Sequence, residues 1–485
     1  MTETVRRVAT GAGWLYAYRW GERLIDLISI VVLARLLAPE DFGLVAIAAS
    51  IVAIIEGLSD FDVNKALIRT RDTDPDGERA LFDTAWTLAA LRGLISALVM
   101  VTIAAFLSDS RVAAVLAVLA LSPLLRGFAN PVFVAFERDL IYSKLAALTL
   151  GARLVTFAVT LGVAWLTRSY WALVVGILAG SLSHLLLTYA MRPYRPRISL
   201  ARAPEIFAFS GWMSLTTIVT TLSMETDKLI VGRFLGVADT GLYFMTQRVG
   251  VLPTRELVSP LQRILFPSFR EIADDAQRLR RVVRESINVL GSLSLPAGCG
   301  FALVAADFVP LALGAEWQPI VPLLMILTPF LGLRGTLSMA LPCMMALGET
   351  RLLFRVSLLY ALVHVPAFIW GTVTFGLRGA FGAIVAAGFL YTAQNAWMLH
   401  RVLGISVDEM LRELVRPLVA TLAMVAGVLA LATLEPMAPA PAWLALAAKI
   451  AVGGGIFLAT QLLLWRLAGR PAGIERRVLQ VLARR

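Results

Sequence analysis

The sequence predicts an all-α polytopic membrane protein of about 14 transmembrane helices. They form two six-helix lobes in a parallel pseudo-twofold repeat around a central cavity, plus two C-terminal helices. Three observations predict this. Of 485 residues, 58% are hydrophobic and only 16% charged, and mean hydropathy is +0.78; a soluble chain carries nearer to about a quarter charged residues. Apolar runs long enough to cross a ~30 Å hydrocarbon core as helices recur along the whole chain. Finally, the chain repeats itself. "VLARLLAPEDFGLV" at 32–45 returns as "IVGRFLGVADTGLY" at 230–243, a constant offset of 198 residues (233 − 35).

In that repeat Arg35, Leu37, Asp41, Gly43 and Leu44 fall on Arg233, Leu235, Asp239, Gly241 and Leu242 without a gap. The same offset places Gly13-Trp14 on Gly211-Trp212, and Trp is scarce, 11 in 485. A further recurrence, Leu125-Arg126-Gly127 and Leu333-Arg334-Gly335, has an offset of 208 (334 − 126), which a longer outer loop at 307–318 accommodates. The motif itself spans a turn: Pro39 ends one helix, Gly43 and Gly241 suit a tight re-entry, and Asp41 and Asp239 suit caps.

Hydropathy places spans near 12–37, 42–68, 80–107, 112–136, 140–165, 170–190, 206–235, 241–267, 282–306, 319–346, 352–375, 379–401, 411–432 and 443–467. The first span is interrupted by Arg19, Glu22, Arg23 and Asp26 and has no small-residue cleavage site after it, so it reads as a retained helix rather than a signal peptide. Loops 69–79, 191–205 and 268–281 and the tail 469–485 are basic, whereas "APED", "SDSR", "TRS", "GVADT" and "GLR" each hold at most one basic residue. The positive-inside rule then puts both termini in the cytoplasm. The net charge of +11 belongs to that topology and to anionic lipid. It is not a nucleic-acid signature. Six spans separate the motif copies, an even number, so the halves are parallel. The domains are 1–200 (helices 1–6), 201–405 (helices 7–12) and 406–485 (helices 13–14 and a basic tail).

No metal or cofactor site is expected. Cys299 and Cys343 sit in apolar runs, and His184, His364 and His400 have no ligand spacing.

Charges inside the spans are the candidate functional groups. Arg19, Glu22, Arg23 and Asp26 form one helical stripe. Arg126 and Arg334 lie mid-span, where an Arg costs about 2.5–3.5 kcal/mol on insertion scales. Ser214, Thr217, Thr221, Glu225 and Lys228 step along span seven beside Asp227, while Arg248 and Arg255 lie seven apart on span eight. Arg19, Arg23, Arg126, Arg248, Arg255 and Arg334 suit a cationic cavity, since the planar guanidinium matches phosphate. Lys is nearly absent, so part of the Arg usage is compositional. Glu22, Asp26, Glu225, Asp227 and Lys228 suit proton or sodium coupling, or internal pairs such as Arg23 with Asp26 and Glu225 with Lys228. Glu56 and Asp60 are further titratable groups.

The run "METDKLIVGRFLGVADTGLYFMTQRVGVLPTRELVSPLQRILFPSF" (224–269) resembles the start of the second half of bacterial polysaccharide flippases of the multidrug/oligosaccharidyl-lipid/polysaccharide exporter superfamily. The matching features are Asp227, Gly232 to Gly236, Gly241 to Tyr243, Pro253 and Phe266-Pro267. "FERDLIYSKLA" (136–146) and "ALGET" (346–350) are similar to its lipopolysaccharide and exopolysaccharide branch. The resemblance covers roughly residues 10–400.

The resemblance implies two lobes around a cationic cavity. It also implies flipping of an undecaprenyl-diphosphate-linked oligosaccharide, no covalent catalysis, and polysaccharide polymerase or assembly proteins as partners. Three rivals are a lipid II flippase, a cation-coupled multidrug antiporter and a membrane polysaccharide polymerase or ligase. An antiporter favours an acidic cavity. A polymerase needs a large outer loop, and 307–318 and 433–442 are short and apolar. The segment 268–286 and the tail read as interfacial amphipathic helices.

Overall fold

A computed structural model describes residues 3–59, 67, 74–138, 141–207, 212–434 and 441–469. Asp60, most of loop 60–73, the tail from 470 and the side chains of Trp14 and Trp212 lie outside the described residues. Among the described residues every regular element is a helix. The helices are α1 (Glu3–Leu36), α2 (Pro39–Leu58), α3 (Pro75–Phe106), α4 (Ser110–Gly127), α5 (Tyr142–Thr167), α6 (Trp171–Met191) and α7 (Trp212–Phe234). Then follow α8 (Val237–Gly250 and Leu252–Glu271), α9 (Ala276–Ala312) and α10 (Val321–Thr336 and Ala340–Ala346). Thr350–Leu403 supplies α11 (350–375) and α12 (377–403), because Gly376 at φ 62° reverses the chain between them. Last come α13 (Val407–Leu434) and α14 (Ala442–Leu467).

Each expected span thus has a helix. Ten of the helices cross by length and apolarity alone, the 54-residue one counting once. The spans that fall short of that criterion are α1, α7 and α8, the ones bearing the charged stripes. Their exposure to lipid would cost several kcal/mol, so these helices need protein or water against their polar faces.

The chain divides into two packing units, Met1–Gly241 and Leu242–Arg485. In the first, α1 packs on α5, α5 on α6, α3 on α4, and α2 on both α4 and α7. Val45, Ala48, Val52, Met100, Val115, Leu116, Leu119 and Val174 fill its core. In the second, α9 is the central post and touches α8, α10, α13 and α14. Phe269, Leu279, Val283, Ile287, Leu290, Cys343, Met344, Leu399 and Ile405 pack at its base. Both cysteines are free thiols. The unit boundary falls one helix later than the repeat boundary at 200, because α7 lies against α2: a Cβ on Gly57 would meet Thr221 Cγ2 at 2.9 Å.

The repeat shows in the packing of each unit. In the first, α3 and α4 cross at Gly93 and Gly127. A Cβ on Gly93 would lie 2.5 Å from Pro123 O, and one on Gly127 would lie 2.6 Å from Ala89 O. In the second, α9 and α10 cross at Gly298 and Gly332. A Cβ on Gly298 would meet the Gly332 Cα at 2.9 Å, and one on Gly332 would meet Ser294 O at 2.7 Å. Small residues let helix backbones approach in this way. Both glycines shift by 205 residues (298 − 93; 332 − 127). This corrects the register suggested by the Leu-Arg-Gly match. Gly127 corresponds to Gly332, one turn before Gly335, and a three-residue slip keeps a helical residue near the same face.

Two local expectations change. Gly43 and Gly241 sit inside α2 and the first turn of α8, not in turns; the strained glycine is Gly236, at φ 95°. The segment 268–286 is not a separate interfacial helix. It ends α8 at Glu271 and begins α9 at Ala276, where the Asp275 carboxylate accepts from Arg278 N at 2.9 Å.

Candidate functional site

Within the first unit, α1 and α5 bring charges together at membrane level. Asp26 accepts a charge-assisted hydrogen bond from Arg153 of α5, a partner that spacing within α1 does not name. Glu22 is half-buried in the field of Arg153, Arg19 and Arg23. The Arg19 guanidinium lies 5.8 Å from the Tyr18 ring centre. Arg153, Arg19 and Arg23 thus lie around Glu22, with Asp26 beside them. Such a cluster binds an anion more readily than a cation.

A second polar group links α2, α4 and α6. Arg126, which has no acid nearby in sequence, pairs with Glu56 of α2 at 3.3 Å and donates to Ser122 Oγ at 2.8 Å. Ser122 in turn shares a 2.9 Å hydrogen bond with Ser181. Arg126 is therefore not an isolated cation, and its neutralisation by Glu56 lowers the cost of its mid-span position. On α7, Glu225 and Lys228 form the expected pair, 2.6 Å apart, and Asp227 is buried beside them.

In the second unit the three candidate arginines differ. Arg334 stacks over the Tyr391 ring, 4.4 Å from its centre, which supplies the partner that the sequence lacked. Arg248 is exposed and lies 5.7 Å from the Phe244 ring centre. Arg255 is exposed and has no ion pair among the described residues.

Sequence reasoning missed Arg153, although it lies in an apolar run as Arg126 does. It also missed Lys449 of α14, which pairs with Asp307 of α9 at 2.9 Å. The chain has only four lysines, so a lysine inside an apolar run was a legible signal.

On the basic-loop side, the extended strap after α6 is stitched to α3. Asp83 accepts from the Tyr194 hydroxyl and from Arg197 N at 3.1 Å, and Thr87 Oγ1 accepts from Ser199 N at 3.0 Å. Burial first, and then the Asp83 carboxylate, push the Tyr194 phenol well above its ordinary range. Among the described residues no group of three His, Cys, Asp or Glu side chains could hold a metal ion.

Comparison with known proteins bears on the family. The chain is 27% identical over 383 residues to the lipopolysaccharide biosynthesis protein WzxC of Escherichia coli K12, covering 76% of this chain and 74% of that protein. It is 25% identical over 434 residues to the succinoglycan biosynthesis transport protein ExoT of Rhizobium meliloti, covering 87% of each. Its fold is similar to that of the lipid II flippase MurJ in an inward closed conformation, with a TM-score of 0.73 at 13% identity over 94% of this chain and 99% of that one. Residues 32–322 match the model of the family described as "Polysaccharide biosynthesis protein". That match takes in both copies of the repeated motif and most of the charged spans, and it covers more than half of the chain, which therefore belongs to the polysaccharide biosynthesis protein family.

Proposed function

We propose that the protein flips an undecaprenyl-diphosphate-linked oligosaccharide from the cytoplasmic to the periplasmic leaflet, for lipopolysaccharide or exopolysaccharide synthesis. The observation that carries this reading is the arginine-rich cluster on α1 and α5, in which Arg153 pairs with Asp26 and Arg19 and Arg23 lie near Glu22. A diphosphate headgroup is what such a cluster neutralises, through charge-assisted bonds from guanidinium forks. Family membership and the names of WzxC and ExoT support polysaccharide assembly and transport.

The mechanism we infer is alternating access. The polyprenyl tail stays in lipid while the headgroup is exposed to one side and then the other. Within the second unit, Arg255, exposed on α8, is the cation that we assign to the transport route. Because Asp26 and Glu225 are held in ion pairs, Glu22 is the acid we assign to proton or sodium coupling. In this reading both termini lie in the cytoplasm of a bacterial inner membrane, an orientation that the basic loops support. Polymerase and assembly proteins are the partners implied.

The test is flipping of a fluorescent undecaprenyl-diphosphate oligosaccharide in proteoliposomes, with lipid II and a cationic drug as parallel substrates. Transport of the oligosaccharide lipid alone supports the proposal. Transport of lipid II or the drug in its place overturns it.

A further inference from the structure

We propose that the basic-loop ends of α9 and α13 form a pocket for the phosphate of an anionic lipid headgroup, a site separate from the proposed transport route. A cavity of about 400 Å³ opens there, lined by Gln277, Arg280, Arg281, Arg284, Glu285, Glu413 and Arg416. This lies within the size range of small-ligand pockets.

The pocket is built rather than incidental. α13 begins with a capping box: Ser406 Oγ accepts from Glu409 N at 3.2 Å, and the Glu409 carboxylate accepts from Ser406 N at 2.9 Å. That cap fixes Glu409, which takes Arg280 at 2.6 Å and Arg284 at 3.1 Å. One turn later Glu413 takes Arg284 at 2.9 Å, and its backbone carbonyl accepts from the Asn288 amide at 2.8 Å. Two guanidiniums are thereby held in place before any ligand arrives. Four guanidiniums line the cavity, each with up to about five donors, against two lining carboxylates. The Arg284 Nε–H is buried and has no acceptor among the described residues.

Position selects a lipid over a soluble anion. α9 has 37 residues and so runs about 55 Å, longer than the ~30 Å hydrocarbon core. Its first turns therefore stand at headgroup level, on the side whose loops are basic. Elsewhere on its surface α13 exposes Leu411, Val415, Val419 and Leu422, an apolar stripe that suits contact with lipid acyl chains. Basic pockets between helices on the cytoplasmic side are suited to anionic headgroups.

The test is native mass spectrometry of the full-length protein titrated with phosphatidylglycerol or phosphatidylcholine, comparing wild type, Arg281→Gln and Arg412→Gln. Arg281 is exposed, so its loss leaves the fold intact; Arg412 lies on α13 in an exposed pair with Asp408, outside the cavity. The expected result is at least threefold greater retention of phosphatidylglycerol by wild type, with that preference lost in Arg281→Gln and kept in Arg412→Gln. Inorganic phosphate added at constant ionic strength distinguishes the source. Failure to displace phosphatidylglycerol supports a lipid site, whereas full displacement at low millimolar phosphate assigns the pocket to a soluble anion and overturns the lipid assignment. Equal retention of the two lipids by wild type, or an unchanged preference in Arg281→Gln, also overturns it.

Discussion

Gly43 and Gly241, equivalent residues in the two copies of the repeated motif, lie against each other. A Cβ built on Gly43 would stand 2.9 Å from Gly241 N, and one built on Gly241 would stand 3.2 Å from Gly43 N. Each would also overlap a carbonyl, that of Val237 or of Pro39. The repeated glycine is therefore explained by close approach of one helix backbone to the other, as at other small-residue crossings.

Replacing either glycine must move a backbone rather than a flexible side-chain end. Gly43→Ala and Gly241→Ala are each expected to cost about 1–3 kcal/mol, the range for overpacking. Gly454→Ala, where the added carbon meets nothing within 4 Å, should be neutral. Thermal unfolding in detergent, read by intrinsic fluorescence, checks the contrast.

Arg126 and Glu56 form a pair that neither helix needs in isolation. Arg126→Gln and Glu56→Gln should each lower stability, and the double variant should lose less than the sum. A coupling of about 0.5–3 kcal/mol is typical of residues in contact. A double-mutant cycle by chemical denaturation measures it, and strict additivity would count against the pair.

Arg255 and Arg334 should separate function from packing. Arg255→Ala removes an exposed cation and is expected to slow flipping about tenfold, roughly 1.4 kcal/mol, while unfolding stays unchanged. Arg334→Ala removes a cation–π contact with Tyr391 and should cost about 0.5–2 kcal/mol of stability. Proteoliposome transport and thermal unfolding of the same preparations resolve the two effects.

Tyr194 gives a pH signature at the strap after α6. Its folded-state pKa is raised, by burial and by Asp83, so the neutral phenol stabilises the folded strap. That contribution is complete below the ordinary tyrosine value near 10 and is lost as pH rises beyond it. Tyr194→Phe should remove this alkaline step and quicken proteolysis within 192–202 at neutral pH. Identical alkaline profiles for wild type and variant would argue against it.

How much was legible follows from which forces act locally. Span positions came from apolar runs of fixed length, because bilayer thickness sets helix length whatever the neighbours. Glu225 and Lys228 paired as their spacing required, since one turn of helix decides that contact. Arg153 was not legible as a partner of Asp26, because α5 supplies it across a helix interface. Similarly, Arg126 and Arg334 looked unpaired only because Glu56 and Tyr391 are far away in sequence.

The sequence by itself determined a membrane protein of fourteen helices, its repeat and its charged first, seventh and eighth spans. Those properties follow from transfer free energies that each segment carries alone. Tertiary structure decided the register of the second repeat, the contact of Gly43 with Gly241, and the partner of each buried charge. These depend on which helix faces meet, and a helix fixes the spacing on its own face but not the identity of its neighbour.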